Sequence, residues 1–367
     1  MRRQDLPALT SLRFFAAFAI VIFHFFAEVK GFPHWLFQTL SEGVSFFYVL
    51  SGFILCYNYP TLTERKSFWI ARFARIWPVH LVTLFLTLIA IPWVSNLGHA
   101  SWYFTLPANF LLLQAWIPMK GSMLSFNGVS WSLCVEAYFY FCFPWLLILF
   151  QRWGGPCLLI ASFTQGLLCA IAGQFIFNWP NDYTAFFPGC RLFEFVLGMY
   201  ICRLWQNRAP NEPISPMHEI LSLATCLVLV LGIITVILKA AAQLPMIPWL
   251  ATDISALCFA WIIWAFAHHA GPISRLLSAP LAVQLGQVSF SLYMFHQIAH
   301  RFLQERGYSD RMPLPIFFIV YLVLSMAGAY LLFYTVENPA RHWIIGAYRH
   351  AMGEPARRTG KVKPASS

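Results

Sequence analysis

Ten apolar runs, each about as long as a bilayer-crossing helix, constrain this chain more than any other feature. They lie near residues 10–29, 42–59, 69–92, 128–150, 156–177, 184–205, 219–240, 248–268, 281–303 and 313–335. A helix rises about 1.5 Å per residue, so roughly 20 apolar residues cross a hydrocarbon core of about 30 Å. In lipid every backbone N–H and C=O needs an internal partner, which leaves helices as the solution for runs of this length. The run 104–116 is too short to cross and is expected to be re-entrant or interfacial within the 93–127 connection. Composition agrees, with 59% of the 367 residues hydrophobic and only 10% charged, against about a quarter charged in soluble domains. The expected fold is an all-α polytopic membrane protein of about ten transmembrane helices.

Charge sets the orientation. With the N-terminus in the cytoplasm, the inside segments collect seventeen Lys and Arg residues. The outside loops hold six: Lys30, Lys120, Lys239, Arg301, Arg306 and Arg311. That asymmetry follows the positive-inside rule and places both termini in the cytoplasm. Met1-Arg2-Arg3 precedes the first run as in a signal peptide, but no A-x-A site follows, so an uncleaved helix is expected. Residues 1–345 are expected to form the membrane domain and 346–367 a basic, disordered cytoplasmic tail close to anionic lipid headgroups. Nine Cys without a CxxC pair read as small core residues rather than a metal site or disulfide framework. No internal repeat and no nucleic-acid module is expected.

Ionisable residues inside apolar helices are functional candidates by default. Arg13 and His24 are eleven residues apart, about 1100° of helical rotation or nearly three whole turns, so they share a face roughly 16 Å apart. A cation at the rim and an imidazole near the midplane suggest two ends of a channel; packing is the structural alternative for His24. Gly43 and Gly52 with Ser45 and Ser51 allow close helix approach. Arg72 and Arg75, three apart, present two guanidinium forks that suit phosphate oxygens, or snorkel to lipid phosphates. Ser132 and Glu136 share a face at the start of the fourth span, and Glu136 facing His24 would orient the imidazole as the third member of a nucleophile–base–orienter set does. Arg191 and Glu194 read as a structural pair. Ser289, Tyr293, His296 and His300 form a polar stripe on the ninth span, and Glu337 with Arg341 reads as an ion pair, with the helix breaking at Asn338.

With these residues in place, the chain resembles the membrane acyltransferase 3 family of bacterial integral-membrane O-acyltransferases over about residues 8–343. Arg13 and His24 match its R-x10-H signature, and Phe46 to Phe53 its FFVLSGF element. Arg72 and Arg75 match R-x-x-R, followed by Ile76-Trp77-Pro78. Trp131-Ser132-Leu133 with Glu136 matches W-S-L-x-x-E. Gly286, Ser289, Tyr293 and His296 resemble its G-x-x-S-[FY]-x-L-Y-x-x-H helix, and Glu337 to Arg341 its E-x-P-x-R. Departures are His80, where an apolar or aromatic residue is common, and Ala137, where a second acidic or polar residue often follows the glutamate.

The resemblance implies a multi-pass protein of the bacterial inner membrane that transfers an acyl group, most often acetyl, from cytoplasmic acyl-CoA to a sugar hydroxyl. The acceptors it implies are exopolysaccharide, lipopolysaccharide or lipid-linked sugar precursors, with membrane lipid and a polysaccharide assembly machinery as partners. No metal and no C-terminal SGNH-type domain are expected. Arg72, Arg75 and Arg13 would hold the coenzyme phosphates, and His24, with Glu136 beside it, would act as general base or carry the acyl group covalently. Ser132, Tyr293 and His296 would support substrate or structure. Two readings from other classes stay open: a transporter or flippase using His24 and Glu136 as a proton relay, and a non-catalytic scaffold.

Overall fold

The computed structural model describes residues 5–27, 29, 39–90, 102–119, 121–177, 179, 183–208, 215–234, 247–269 and 271–353. Each of the ten apolar runs contains a helix. α1 is Pro7–Ala27, α2 Gly43–Asn58, α3 Arg65–Ala90 and α4 Trp102–Phe110. α5 is Trp131–Trp153, α6 Gly155–Phe175, α7 Leu192–Asn207 and α8 Met217–Cys226, the last continued by π-helical turns to Ile234. α9 is Ile247–Ala267, α10 Pro272–Leu277, α11 Pro280–Glu305, α12 Tyr308–Arg311, α13 Leu314–Leu332 and α14 Asn338–Ala351. No strand occurs among the described residues. Seven helical stretches among them are long and apolar enough to cross a membrane by length and composition. The chain is an all-α polytopic membrane protein.

The structure bears out one local expectation and departs from others. The short 104–116 run becomes the nine-residue α4 followed by a 3-10 turn at Gln114–Trp116; at about 14 Å the helix is too short to cross. The chain does not break at Asn338. It passes through π-helical Phe333–Glu337 into α14, and the change of helical pitch accommodates Pro339, which has no N–H to give the preceding turn. α14 continues to Ala351, past position 346, where the tail was expected to begin. The rest of the tail from 354, the end of the seventh run from 235 and Lys30, Lys120 and Lys239 lie outside the described residues.

Two apolar clusters hold the helices together, and α1 and α11 contribute to both. Val21, Phe25, Val288, Leu292, Phe317 and Tyr321 join α1, α11 and α13 in one apolar cluster. Val49, Phe53, Phe139, Phe195, Ile263 and Phe266 join α2, α5, α7 and α9 in the other. α2 and α7 approach closely enough that a Cβ at Gly52 would lie 1.9 Å from the Phe195 carbonyl oxygen, and one at Gly198 1.9 Å from that of Val49. Glycine is required at both places by contact, not by backbone conformation. Among these helices, with α3 and α14 at one end, lies a cavity whose largely apolar walls carry a set of polar and charged groups.

Candidate active site

The cavity has a volume of about 200 Å³ and takes its walls from α1, α2, α3, α5, α11 and the start of α14. Along α5, Ser132, Glu136 and Tyr140 follow one another at four-residue spacing and line it together, a ladder about 12 Å long. Arginines gather near Tyr140; hydroxyls and imidazoles gather near Ser132.

At the arginine end, Arg13, Arg72, Arg75 and Arg341 all line the cavity, with Glu136 as its one lining carboxylate. None of the four guanidinium groups makes a hydrogen bond or a close ion pair among the described residues. Arg72 lies 5.7 Å from the Tyr140 ring, 5.9 Å from that of Tyr59 and 6.0 Å from that of Phe68, while its Nε is buried without a hydrogen-bond partner. Arg13 and Arg75 repel one another, as do Arg341 and the Arg72–Arg75 pair. Glu337 and Glu136 offset part of this repulsion without forming a close ion pair with any of the four; guanidinium forks with their N–H groups uncommitted suit an anion with several oxygens, such as phosphate.

Arg341 is the residue that sequence reasoning placed wrongly. Its spacing suggested a pair with Glu337, but the buried Glu337 accepts a hydrogen bond from Ser291 Oγ at 2.7 Å and no Glu337–Arg341 ion pair forms. Tyr140 was missed altogether; its four-residue step from Glu136 was the signal available.

At the other end, Ser132 Oγ and Tyr293 OH are 2.8 Å apart, and both reach the Val129 carbonyl oxygen, at 3.0 and 3.1 Å. Two hydroxyl hydrogens serve three oxygen–oxygen contacts, so one can turn to a ligand while the other keeps the carbonyl satisfied. One turn along α11 from Tyr293 is His296, fully buried, whose Nε2 lies 3.1 Å from His24 Nδ1. The tautomers follow from the carbonyls. His296 Nδ1 is 3.2 Å from Leu292 O and His24 Nδ1 3.0 Å from Ile20 O, so each Nδ1 carries a hydrogen in the neutral ring. His24 Nδ1–H is thus shared between Ile20 O and His296 Nε2, and the lone pair of His24 sits on Nε2.

The structure does not bring Glu136 to His24. Glu136 accepts from Tyr140 OH and, at 3.5 Å, from Ser51 Oγ, leaving His296 in the place expected for the carboxylate. The polar stripe on α11 divides: Ser289 donates to Gly286 O, and His300 packs against the rings of Phe25, Phe317 and Tyr321. His80 is structural, with its Nε2 2.7 Å from Asn109 O beside α4. No group of three or more His, Cys, Asp or Glu able to hold a metal occurs among the described residues.

A helical membrane bundle encloses an arginine-lined cavity with paired hydroxyls on its wall and, one helical turn beyond Tyr293, paired imidazoles; these are groups suited to anion binding and proton transfer. The chain belongs to the acyltransferase family Acyl_transf_3, described as an acyltransferase domain, whose model matches residues 6–334. It is similar to acyltransferase MdmB of Streptomyces mycarofaciens, at 29% identity over 91% of each chain. It also resembles the putative O-acetyltransferase SACOL0978 of Staphylococcus aureus strain COL (24% identity, 93% of this chain and 58% of that one). A further relative is the peptidoglycan O-acetyltransferase OatA of Listeria monocytogenes (25% identity, 80% of this chain and 49% of that one). No solved structure matches. The protein is a membrane O-acyltransferase.

Proposed function

We propose that the protein moves an acetyl group from cytoplasmic acetyl-CoA to a hydroxyl of a cell-envelope glycan, working from the inner membrane with both termini in the cytoplasm. The observation that carries this reading is a set of arginines without hydrogen bonds or close ion pairs, among the described residues, at one end of a cavity whose other end, at Tyr293, is one helical turn from the His24–His296 pair. The donor set fits a nucleotide coenzyme. Arg13, Arg72, Arg75 and Arg341 supply forked cations for phosphate oxygens, and the buried Arg72 Nε lacks the acceptor that a phosphate provides. The thioester arm then lies along the Tyr140–Glu136–Ser132 ladder.

His24 acts as general base. Its Nε2 takes the proton of the acceptor hydroxyl as that oxygen bonds to the thioester carbon; the C–S bond breaks and the proton passes to the departing thiolate. Positioned base catalysis of this kind is worth about 10²–10⁴-fold in rate. His296 accepts the His24 Nδ1 hydrogen and so fixes the ring with its lone pair on Nε2. The Ser132–Tyr293 pair turns one O–H toward the oxyanion that forms on the thioester carbonyl. Peptidoglycan, by likeness to OatA, joins exopolysaccharide and lipopolysaccharide among the candidate acceptors.

The test uses the full chain in lipid nanodiscs with radiolabelled acetyl-CoA and, in turn, peptidoglycan fragments, exopolysaccharide repeat units and lipopolysaccharide. Alkali-labile acetyl on one of these glycans is the expected result. Acetyl-CoA binding without transfer to any sugar hydroxyl, or no acetyl-CoA binding, would contradict the proposal; transmembrane glycan movement without either would favour a flippase. Orientation is tested separately: a cysteine placed at Gly353 should resist impermeant thiol reagents in intact cells, and labelling there would reverse it.

A further inference from the structure

A second concavity lies on the outer side of the cavity wall. This groove, of about 440 Å³, runs between Trp69, Phe73 and Trp77 on α3, Leu111 and Leu112 after α4, and Ala137 and Phe141 on α5. It shares Arg72, Ile76 and Tyr140 with the reaction cavity. Its volume falls in the range of small-molecule sites, about 300–1,000 Å³.

Its walls are apolar by construction. The indole N–H of Trp69 donates to Tyr140 O at 3.0 Å and that of Trp77 to Phe110 O at 3.1 Å. Both rings therefore turn only carbon faces to the groove, and the Tyr140 hydroxyl is taken by Glu136. Phe73, Leu111 and Phe141 stand 43%, 60% and 60% exposed, as befits a face turned to hydrocarbon. Ala137 leaves the space beside Glu136 open and adds no polar atom. The one unspent donor on the lining is Arg72, whose Nε is buried and unpartnered.

We propose that the groove seats one hydrocarbon chain of a membrane phospholipid, with the lipid phosphate on Arg72. The complement of these walls is a long apolar chain carrying an anion at one end. A water-soluble anion would satisfy Arg72 and leave the aromatic walls unmatched; a neutral lipid would do the reverse. A phospholipid supplies both from the bilayer that the groove faces. Because Arg72 belongs to both spaces, lipid and coenzyme compete for it, and the lipid covers Arg72 while the site waits for its donor. The competition rests on the coenzyme reading; the lipid seat does not.

Native mass spectrometry of the full chain after exchange into lipid-free detergent tests this. The wild-type protein should retain a phospholipid. Ala137→Trp, which fills the groove, should lower its occupancy by about tenfold or more, whereas Leu168→Trp on exposed α6 should leave it unchanged. Should Ala137→Trp fail to fold, Leu111→Glu places a charge at the exposed rim and should have the same effect. Acetyl-CoA should still bind to either groove variant and should displace the wild-type lipid. The proposal falls if no phospholipid is retained, if the groove variants hold it as well as wild type, or if the retained molecule lacks phosphate or is a lipid-linked glycan. Lipid retained undiminished under saturating acetyl-CoA would remove the phosphate from Arg72.

Discussion

Arg191 and the four arginines of the cavity are the same side chain in opposite settings. Arg191, just before α7, is 2% exposed and reaches Glu194 at 2.7 Å and Ser45 Oγ at 3.0 Å, with its guanidinium 5.2 Å from the Tyr48 ring. Glu42 and Asp253 add negative charge around it. Across the Tyr48 ring, which also lines the cavity, Arg13, Arg72, Arg75 and Arg341 have one lining carboxylate among them and make no hydrogen bond among the described residues. A buried cation with its partners supplied by the chain holds helices together. The cavity arginines are only partly balanced by Glu136 and Glu337 and keep their N–H groups uncommitted, which on the proposed reading leaves them for an anion from outside.

Substitutions on the two sides separate these roles. The largest expected effect is at Arg191: Arg191→Ala leaves Glu42, Glu194 and Asp253 buried without their cation and should lower stability by about 3–5 kcal/mol. Thermal unfolding in detergent reads this, and any surviving folded protein should bind acetyl-CoA as wild type does. Arg75→Ala should do the reverse, weakening acetyl-CoA binding by about 1.5–3 kcal/mol, roughly ten- to a hundredfold, with little change in unfolding temperature. Arg75→Lys should restore only part of the affinity because the fork is lost. Equal losses of stability in both alanine variants would erase the distinction. Gly198→Ala, which drives a methyl into the Val49 carbonyl, should cost about 1–3 kcal/mol of stability without touching the coenzyme affinity of the folded fraction. Smallest is Ser291→Ala, which removes the Glu337 hydrogen bond at a cost of about 0.5–1.5 kcal/mol. It also tests whether Glu337, once released, pairs with Arg341, which a modest fall in acetyl-CoA affinity would show.

The same comparison explains what the sequence made legible. Arg191 and Glu194 are three apart on one helical turn, so their pairing was visible locally, and it formed. The apolar runs were visible because membrane length sets a lower bound that few other folds meet. Arg13, Arg72 and Arg75 were legible as cations on defined helix faces. Arg341 was not, since its apparent partner Glu337 is claimed by Ser291, 46 residues away in sequence. The same limit hid the partner of His24: His296 is 272 residues distant, and no periodicity links α1 to α11. Glu136 was the nearer guess because it is charged and membrane-embedded, but Tyr140 on the next turn of its own helix had already taken it.

The central claim is that the arginine end binds and the histidine end reacts, and His24→Gln tests it most directly. Glutamine keeps similar length and hydrogen-bonding capacity but takes up no proton near neutral pH. Acetyl-CoA affinity and acetyl transfer should be measured on the same folded preparation. The account predicts wild-type affinity with transfer reduced about 10²–10⁴-fold. Full transfer by well-folded His24→Gln would contradict it.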